Sequence, residues 1–357
     1  MNVADHSRTR AEKFARNQIL LMSQPQSKSP EVVSRRSSPI VIVVIGMAGS
    51  GKTTFVHRLY LHFQSMKKRV YSLNLDPAVR SVPYPTNIDI RDSVDYKKVM
   101  SDFSLGPNGA MITSLNLFAT KFDQVVDLLE KRADEYDYII VDTPGQIEVF
   151  NWSASGQIIL DSLALSFPVV TSYVVDTARC RNPTTFMSNM TYACSIMYKT
   201  KLPFSVVFNK TDIIPFDFAK EWMTEFDSFL DALKPSESGY MASLSRALCL
   251  SMEEFYRQLR TSGVSSLTGD GMDTFQSCIE EAVKEYHEAY LPYIERQREL
   301  YAKRKEEMAE RQLREMMNNG AANAMKQASS MPQEANDEDE DDAEELEKFR
   351  EYLRNRK

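Results

Sequence analysis

The sequence predicts an α/β fold, a three-layer sandwich on a mostly parallel sheet, from three observations. Continuous β-branched runs recur along the chain, amphipathic stretches separate them, and the alternation holds from Pro39 to Phe208. The first run, Pro39–Ile45 (PIVIVVI), has no polar face, as expected of a strand buried on both sides of a parallel sheet. Similar runs follow at Val70–Leu75, Tyr138–Val141, Val169–Val175 and Phe204–Phe208. Between them, Thr53–Met66 and Lys121–Ala133 have helical spacing. Strand, helix, strand in succession means crossover connections and a parallel sheet. Ligands of such sheets bind at the carboxyl ends of strands, so the residues after each run are the ones to search.

Composition bounds the rest. With 357 residues and 43% hydrophobic content, the chain can bury one large core with a small helical appendage. The net charge of -7 is local: Glu334–Glu345 holds nine acids and no bases, which leaves the remainder near neutral. No broad basic face is expected, so no direct nucleic-acid binding is expected either. Cys180, Cys194, Cys249 and Cys278 are widely spaced without a C-x-x-C, which suits a reduced intracellular chain. His57 and His62 have no nearby Cys ligand, so no structural metal is expected. The run Ile40–Ile45 is too short to span a bilayer, and no membrane association is expected.

Four segments are expected. Residues 1–38, rich in Ser and basic residues, read as a disordered arm, with an organelle transit peptide as the alternative. Residues 39–285 form the α/β domain. Residues 286–317 continue a charged helical stretch that begins near Phe275, read as two helices interrupted at Pro292. Residues 318–357 read as a disordered acidic tail.

Chemistry begins directly after the first strand. Gly46-Met47-Ala48-Gly49-Ser50-Gly51-Lys52-Thr53 satisfies G-x-x-x-x-G-K-[ST] in full. Glycines let backbone N–H groups curl around phosphates, Lys52 reaches the β and γ oxygens, and the Thr53 hydroxyl is offered to Mg2+. Thr54 is placed to add an α-phosphate contact, and the helix starting here points its positive end at the anion. The fold is therefore expected to be a P-loop NTPase sandwich.

The run Tyr138–Val141 ends in Asp142-Thr143-Pro144-Gly145-Gln146. Asp142 is positioned to hold Mg2+ through its water shell, and Gly145 to donate its N–H to a γ-phosphate. Gln146 stands where Ras-type GTPases place a water-orienting glutamine, and Glu148 is a second candidate to polarise that water. Asp76, in Asn74-Leu75-Asp76-Pro77, could meet the metal's water shell or the attacking water; an Asp that shapes a turn before Pro is the competing reading. Sequence leaves these three open.

Base choice is read from Asn209-Lys210-Thr211-Asp212 after the run Phe204–Phe208. Guanine offers N1–H and an amino group to one carboxylate. Adenine would leave that charge unmatched and buried, so Asp212 selects guanine. Asn209 braces the loop, the Lys210 stem covers the ring, and the Ser/Gly-rich loop Val264–Gly269 is read as a source of backbone contacts to the guanine oxygen from Ser266 and its neighbours.

With Gly106-Pro107-Asn108 added, these motifs resemble the GPN-loop GTPases over approximately Pro39–Glu285: GMAGSGKTT, NLDPA, GPN, DTPGQIE, NKTD and SSLTG occur in that family's order. The resemblance implies GTP binding and slow hydrolysis with Mg2+ and a nucleotide-controlled dimer, either a homodimer or a heterodimer with a GPN-loop paralogue. It also implies a role for Asn108 near the γ-phosphate of the partner's site. Read from residues alone, Pro107-Asn108-Gly109 is a turn between helices. The charged extension and acidic tail most resemble the eukaryotic first paralogue, which implies RNA polymerase II subunits as partners, a part in that enzyme's assembly and nuclear import, and a cytoplasmic location with shuttling to the nucleus. No arginine is assigned a catalytic role; Arg80, Arg91 and Arg179 lie near the motifs. A P-loop kinase and a GTP-gated scaffold without turnover are the competing functions.

Overall fold

Among the described residues, seven strands, all paired in parallel, form one sheet in the order β3-β2-β4-β1-β5-β6-β7. They are β1 Ile40–Gly46, β2 Val70–Asn74, β3 Ile88–Asp89, β4 Tyr138–Asp142, β5 Val169–Asp176, β6 Phe204–Asn209 and β7 Arg260–Val264. The computed structural model describes residues 38–233 and 252–297, with 244, 247–248, 299–300 and 303–304. The expectations for residues 1–37, for 305–357 and for Cys249 lie outside the described residues. The chain divides into two compact units, Met1–Glu295 and Arg296–Lys357; the described residues of the second are helical.

Alternation along β1 explains the layers. Val41, Val43 and Ile45 face one core, shared with Leu115, Phe118, Ile159, Leu163 and Met190 from helices Pro107–Ala119, Ala154–Ser166 and Pro183–Thr200. Ile42 and Val44 face the other, shared with Phe55, Leu59 and Phe63 of Lys52–Ser65 and with Phe275 and Ile279 of Met272–Glu285. A strand buried on both faces needs apolar side chains at every position, which is why β1 has no polar face.

Three features differ from the sequence reading. β7 (RTSGV), a half-polar edge strand with no apolar run, leads into the Ser/Gly loop and is absent from the runs read as strands. Gly263 lies within it because a Cβ there would stand 2.0 Å from the Phe216 ring. Gly106-Pro107-Asn108 is not a turn between helices: Pro107 opens the helix Pro107–Ala119, where its missing N–H costs nothing. Pro292 does not interrupt the helix it falls in. A π-helical stretch, Tyr286–Tyr290, comes just before it, and the helix continues through 291–295. The wider turn accommodates the carbonyl that the proline cannot bond.

Candidate functional site

The carboxyl ends of β1, β2, β4, β5 and β6 bring Gly46, Asp76, Asp142, Asp176 and Asn209 to one edge of the sheet. The phosphate loop is built for close approach. A Cβ on Gly46 would lie 2.4 Å from the Val174 carbonyl oxygen, and Gly51, at φ +93°, caps the following helix with no side chain of its own. Ala48 and Gly49 form the exposed crest of the loop, and Ser50 is buried with an Oγ that has no partner. Lys52 is buried, and its Nζ donates to the carbonyls of Gly46 (2.9 Å), Met47 (3.2 Å) and Gly145 (3.4 Å). Burial lowers its pKa, opposed by the negative charges of Asp142 and Asp76. Thr53 is half-buried and Thr54 exposed at the start of the helix.

Asp142 is 1% exposed and pushed up to about 6 by burial, against the pull of Thr53, Tyr84 and Lys52. Its Oδ2 accepts from the Tyr84 hydroxyl at 3.0 Å, while Oδ1 has no hydrogen-bond partner among the described residues. The Thr53 hydroxyl is near enough to help stabilise the carboxylate but does not complete a bond to Oδ1. A buried, unpartnered carboxylate oxygen beside a threonine hydroxyl is a hard-oxygen donor pair that fits Mg2+. Among the described residues no three His, Cys, Asp or Glu side chains gather as a metal cage. A cation held largely by phosphate and water needs none. Asp76 fits the metal less well, because both its oxygens are engaged: Oδ1 accepts from Ala78 N (2.9 Å) and Oδ2 from Gly145 N (3.2 Å).

Behind Asp76 runs a polar relay that the sequence reading missed. Its N–H donates to Asn74 Oδ1 (3.1 Å), and Asn74 Nδ2 donates to both oxygens of Asp89 (3.1 and 3.2 Å). Arg91 donates to the same carboxylate from Nη2 (2.6 Å) and Nε (2.9 Å), and reaches the carbonyls of Val79 and Arg80. Burial pushes Asp89 up, but the Arg91 and Asn74 bonds outweigh it and hold the carboxyl below its ordinary value. Gly145 thus stands at the end of a fixed chain of hydrogen bonds.

On the base side, Asn209 is buried and makes four side-chain bonds. Nδ2 donates to the Ser50 carbonyl (3.0 Å), and Oδ1 accepts from Lys210 N (2.8 Å), Ser266 N (3.2 Å) and Ser266 Oγ (2.7 Å). Lys210, at φ +69°, donates from Nζ to Asp176 Oδ2 (2.6 Å) and to the Gly49 carbonyl (2.9 Å). Asp212 is exposed, with Oδ1 accepting from Ser265 Oγ at 2.7 Å, so its burial against a base would come with the bound nucleotide. Ser266 gives its own N–H to Asn209, and its neighbours in the loop are the remaining sources of backbone contacts to the guanine oxygen. Arg58, from the helix Lys52–Ser65, donates to the carbonyls of Ser266 (3.0 Å) and Leu267, tying this loop to the helix behind the phosphate loop.

The water-handling candidates sit on the loop after β4. Gln146 is half-buried and precedes the short helix Ile147–Asn151, and Glu148 is exposed on it. Gly106, Pro107 and Asn108 are exposed at the start of their own helix. Among the described residues, the hydrogen bond from Tyr96 Oη to the Pro107 carbonyl (3.1 Å) ties this tip to the preceding helix, Tyr96–Asp102, and none ties it to the phosphate loop.

Comparison with known proteins agrees with this geometry. The family model described as "Conserved hypothetical ATP binding protein" matches residues 44–285. A protein of Schizosaccharomyces pombe named GPN-loop GTPase 1 is 52% identical over 294 residues, 80% of each chain. Its namesake in Saccharomyces cerevisiae is 57% identical over 280 residues, 76% of this chain and 72% of its own. The solved apo form of a GTPase from Pyrococcus abyssi has the same fold, with a TM-score of 0.61, 24% identity, and coverage of 69% of this chain and 98% of its own. The family description names ATP, whereas the relatives are named for GTP and the carboxylate of Asp212 suits guanine. With 52–57% identity to those relatives over three quarters or more of its length, and with the phosphate and base loops in place, the chain belongs to the family of GPN-loop GTPases.

Proposed function

We propose that this chain binds GTP with Mg2+, hydrolyses it slowly, and works as a nucleotide-controlled dimer in the assembly and nuclear import of RNA polymerase II. The observation that carries the nucleotide part is the Asn209 brace, which joins the phosphate loop to the loop carrying Asp212. In this reading Gly46, Ala48, Gly49, Ser50, Gly51 and Lys52 cradle the phosphates, Thr54 meets the α-phosphate, and Asn209, Lys210, Asp212 and the Ser266 loop hold the base. Thr53 and Asp142 hold Mg2+, which neutralises charge on the phosphates. Gln146, Glu148 and Asp76 are the candidates to orient the attacking water. Asn108 acts on a second copy's site or a paralogue's; its exposure away from the phosphate loop supports a role in trans.

The polymerase role rests on the likeness to proteins named GPN-loop GTPase 1 and on what that family resemblance implies. So does a cytoplasmic location with shuttling to the nucleus, whereas the division into an arm (1–38), a GTPase domain (39–285), an extension (286–317) and a tail (318–357) rests on composition and charge pattern. Limited proteolysis tests the division, and imaging with nuclear export blocked tests the shuttling.

The deciding experiment measures GTP, GDP and ATP binding by the purified chain with Mg2+, together with phosphate release and mass in solution. GTP-selective binding, slow release and nucleotide-dependent dimerisation are expected, with triphosphate binding lost in Lys52→Ala. Preference for ATP, phosphate transfer to an added acceptor, or binding without turnover would overturn the reading.

A further inference from the structure

The connection between β2 and β3, residues 75–87, grips the end of β4 and the loop after it, one point on each. Asp76 accepts the Gly145 N–H, and eight residues later Tyr84 donates its hydroxyl to Asp142 Oδ2 at 3.0 Å. Tyr84 is 4% exposed, packed in the core that holds Ile42, Val44, Phe55 and Val56. Burial, and then the charge of Asp142, raise its pKa, so the phenol keeps its proton. A phenol has one O–H to give, and here it goes to one oxygen of a carboxylate that water does not reach. The consequence is orientational: with Oδ2 tied, the carboxylate cannot turn without losing that bond, and among the described residues Oδ1 is left without a partner.

We propose that Tyr84 is a positioning residue for Mg2+: its hydroxyl fixes the Asp142 carboxylate in the orientation that the metal's water shell requires. The inference rests on the assignment of Asp142 to Mg2+ above. It also ties the 75–87 connection to the metal, since ordering either one favours the other. A ring that only fills the core would do none of this.

Tyr84→Phe keeps the ring and removes only the hydroxyl. The assay follows release of GDP carrying a fluorescent N-methylanthraniloyl group as Mg2+ is titrated, and again in EDTA. The Mg2+ concentration that half-slows release is expected to rise about tenfold, the lower end of what loss of an outer-shell partner costs in metal affinity, with release in EDTA unchanged. In an Asp142→Asn background the same substitution is expected to add nothing, because the oriented carboxylate is already gone. A Mg2+-dependent wild type with an unshifted Tyr84→Phe, equal acceleration with and without Mg2+, or full additivity with Asp142→Asn would overturn the inference alone. A wild type whose GDP release ignores Mg2+ would overturn the metal assignment beneath it, and this inference with it.

Discussion

Truncating Asn209 to Ala removes one side chain and four hydrogen bonds in a place water does not reach. Asn209 is 1% exposed, and its partners belong to three segments: Ser50 of the phosphate loop, Lys210 of the base loop and Ser266 of the loop after β7. Each bond contributes about 1 kcal/mol net, and each buried group left without a partner costs about 1–3 kcal/mol. Ser266 Oγ can turn to another acceptor, which offsets part of this, so the total loss is about 3–4 kcal/mol. For a domain of this size that lowers Tm by roughly 10 °C. Looser loops must be reordered when nucleotide binds, so GDP affinity is expected to fall by at least about tenfold, or 1.4 kcal/mol. Thermal melting and fluorescent GDP titration on the same preparation provide the check. A Tm within about 2 °C of wild type together with affinity within about threefold would refute the brace.

Gly51→Ala should damage the protein more than Gly49→Ala, as read by melting. Both glycines have positive φ, which costs an L-residue about 1–2 kcal/mol, but a Cβ on Gly51 would stand 2.6 Å from Asn209 Nδ2, whereas one on Gly49 meets only the flexible tip of Arg179 at 3.5 Å. Asp212→Asn should weaken guanine nucleotides and shift preference toward xanthine nucleotides, since an amide complements the carbonyl that replaces the guanine amino group; unchanged guanine selectivity in competition binding would count against the base assignment. Arg91→Met should cost about 2–3 kcal/mol at pH 7, less than a fully buried pair because the Arg91 side chain is 31% exposed. In the wild type, Asp89 contributes stability above its unfolded pKa and loses it as pH falls through its depressed folded value. Without Arg91, burial raises that carboxyl instead, so the variant's deficit should shrink as melting is followed from pH 8 toward pH 5. A constant deficit would refute this account.

What could be read in advance followed from burial and local chemistry. β1, β2, β4, β5 and β6 announce themselves because both faces are covered, whereas β7 has an open edge and β3 has only two residues, too few for any period. The phosphate and base loops are contiguous motifs whose spacing carries the chemistry. Partners supplied by the fold were illegible: Tyr84 meets Asp142 across 58 residues, Asp76 meets Gly145 across 69, and Arg58 meets Ser266 across 208. For Asp76 the turn-shaping reading is the one the fold displays, since one oxygen accepts from Ala78, while the other reaches Gly145 in a contact that neither reading named. Pro107 was read as a turn former, though the same fixed φ also suits the first residue of a helix.

The Gly145 amide carries a single proton, and Asp76 already accepts it at 3.2 Å. Any anion that claims this amide therefore trades one acceptor for another, and the count of bonds does not change. The discrimination such an exchange supports is the difference between two acceptors, minus the cost of placing the released carboxylate beside a second negative charge. A receptor built this way separates its ligands by a narrow energy gap and returns readily once the anion leaves. The relay through Asn74, Asp89 and Arg91 holds Asp76 in place and so fixes the acceptor that such an anion has to displace.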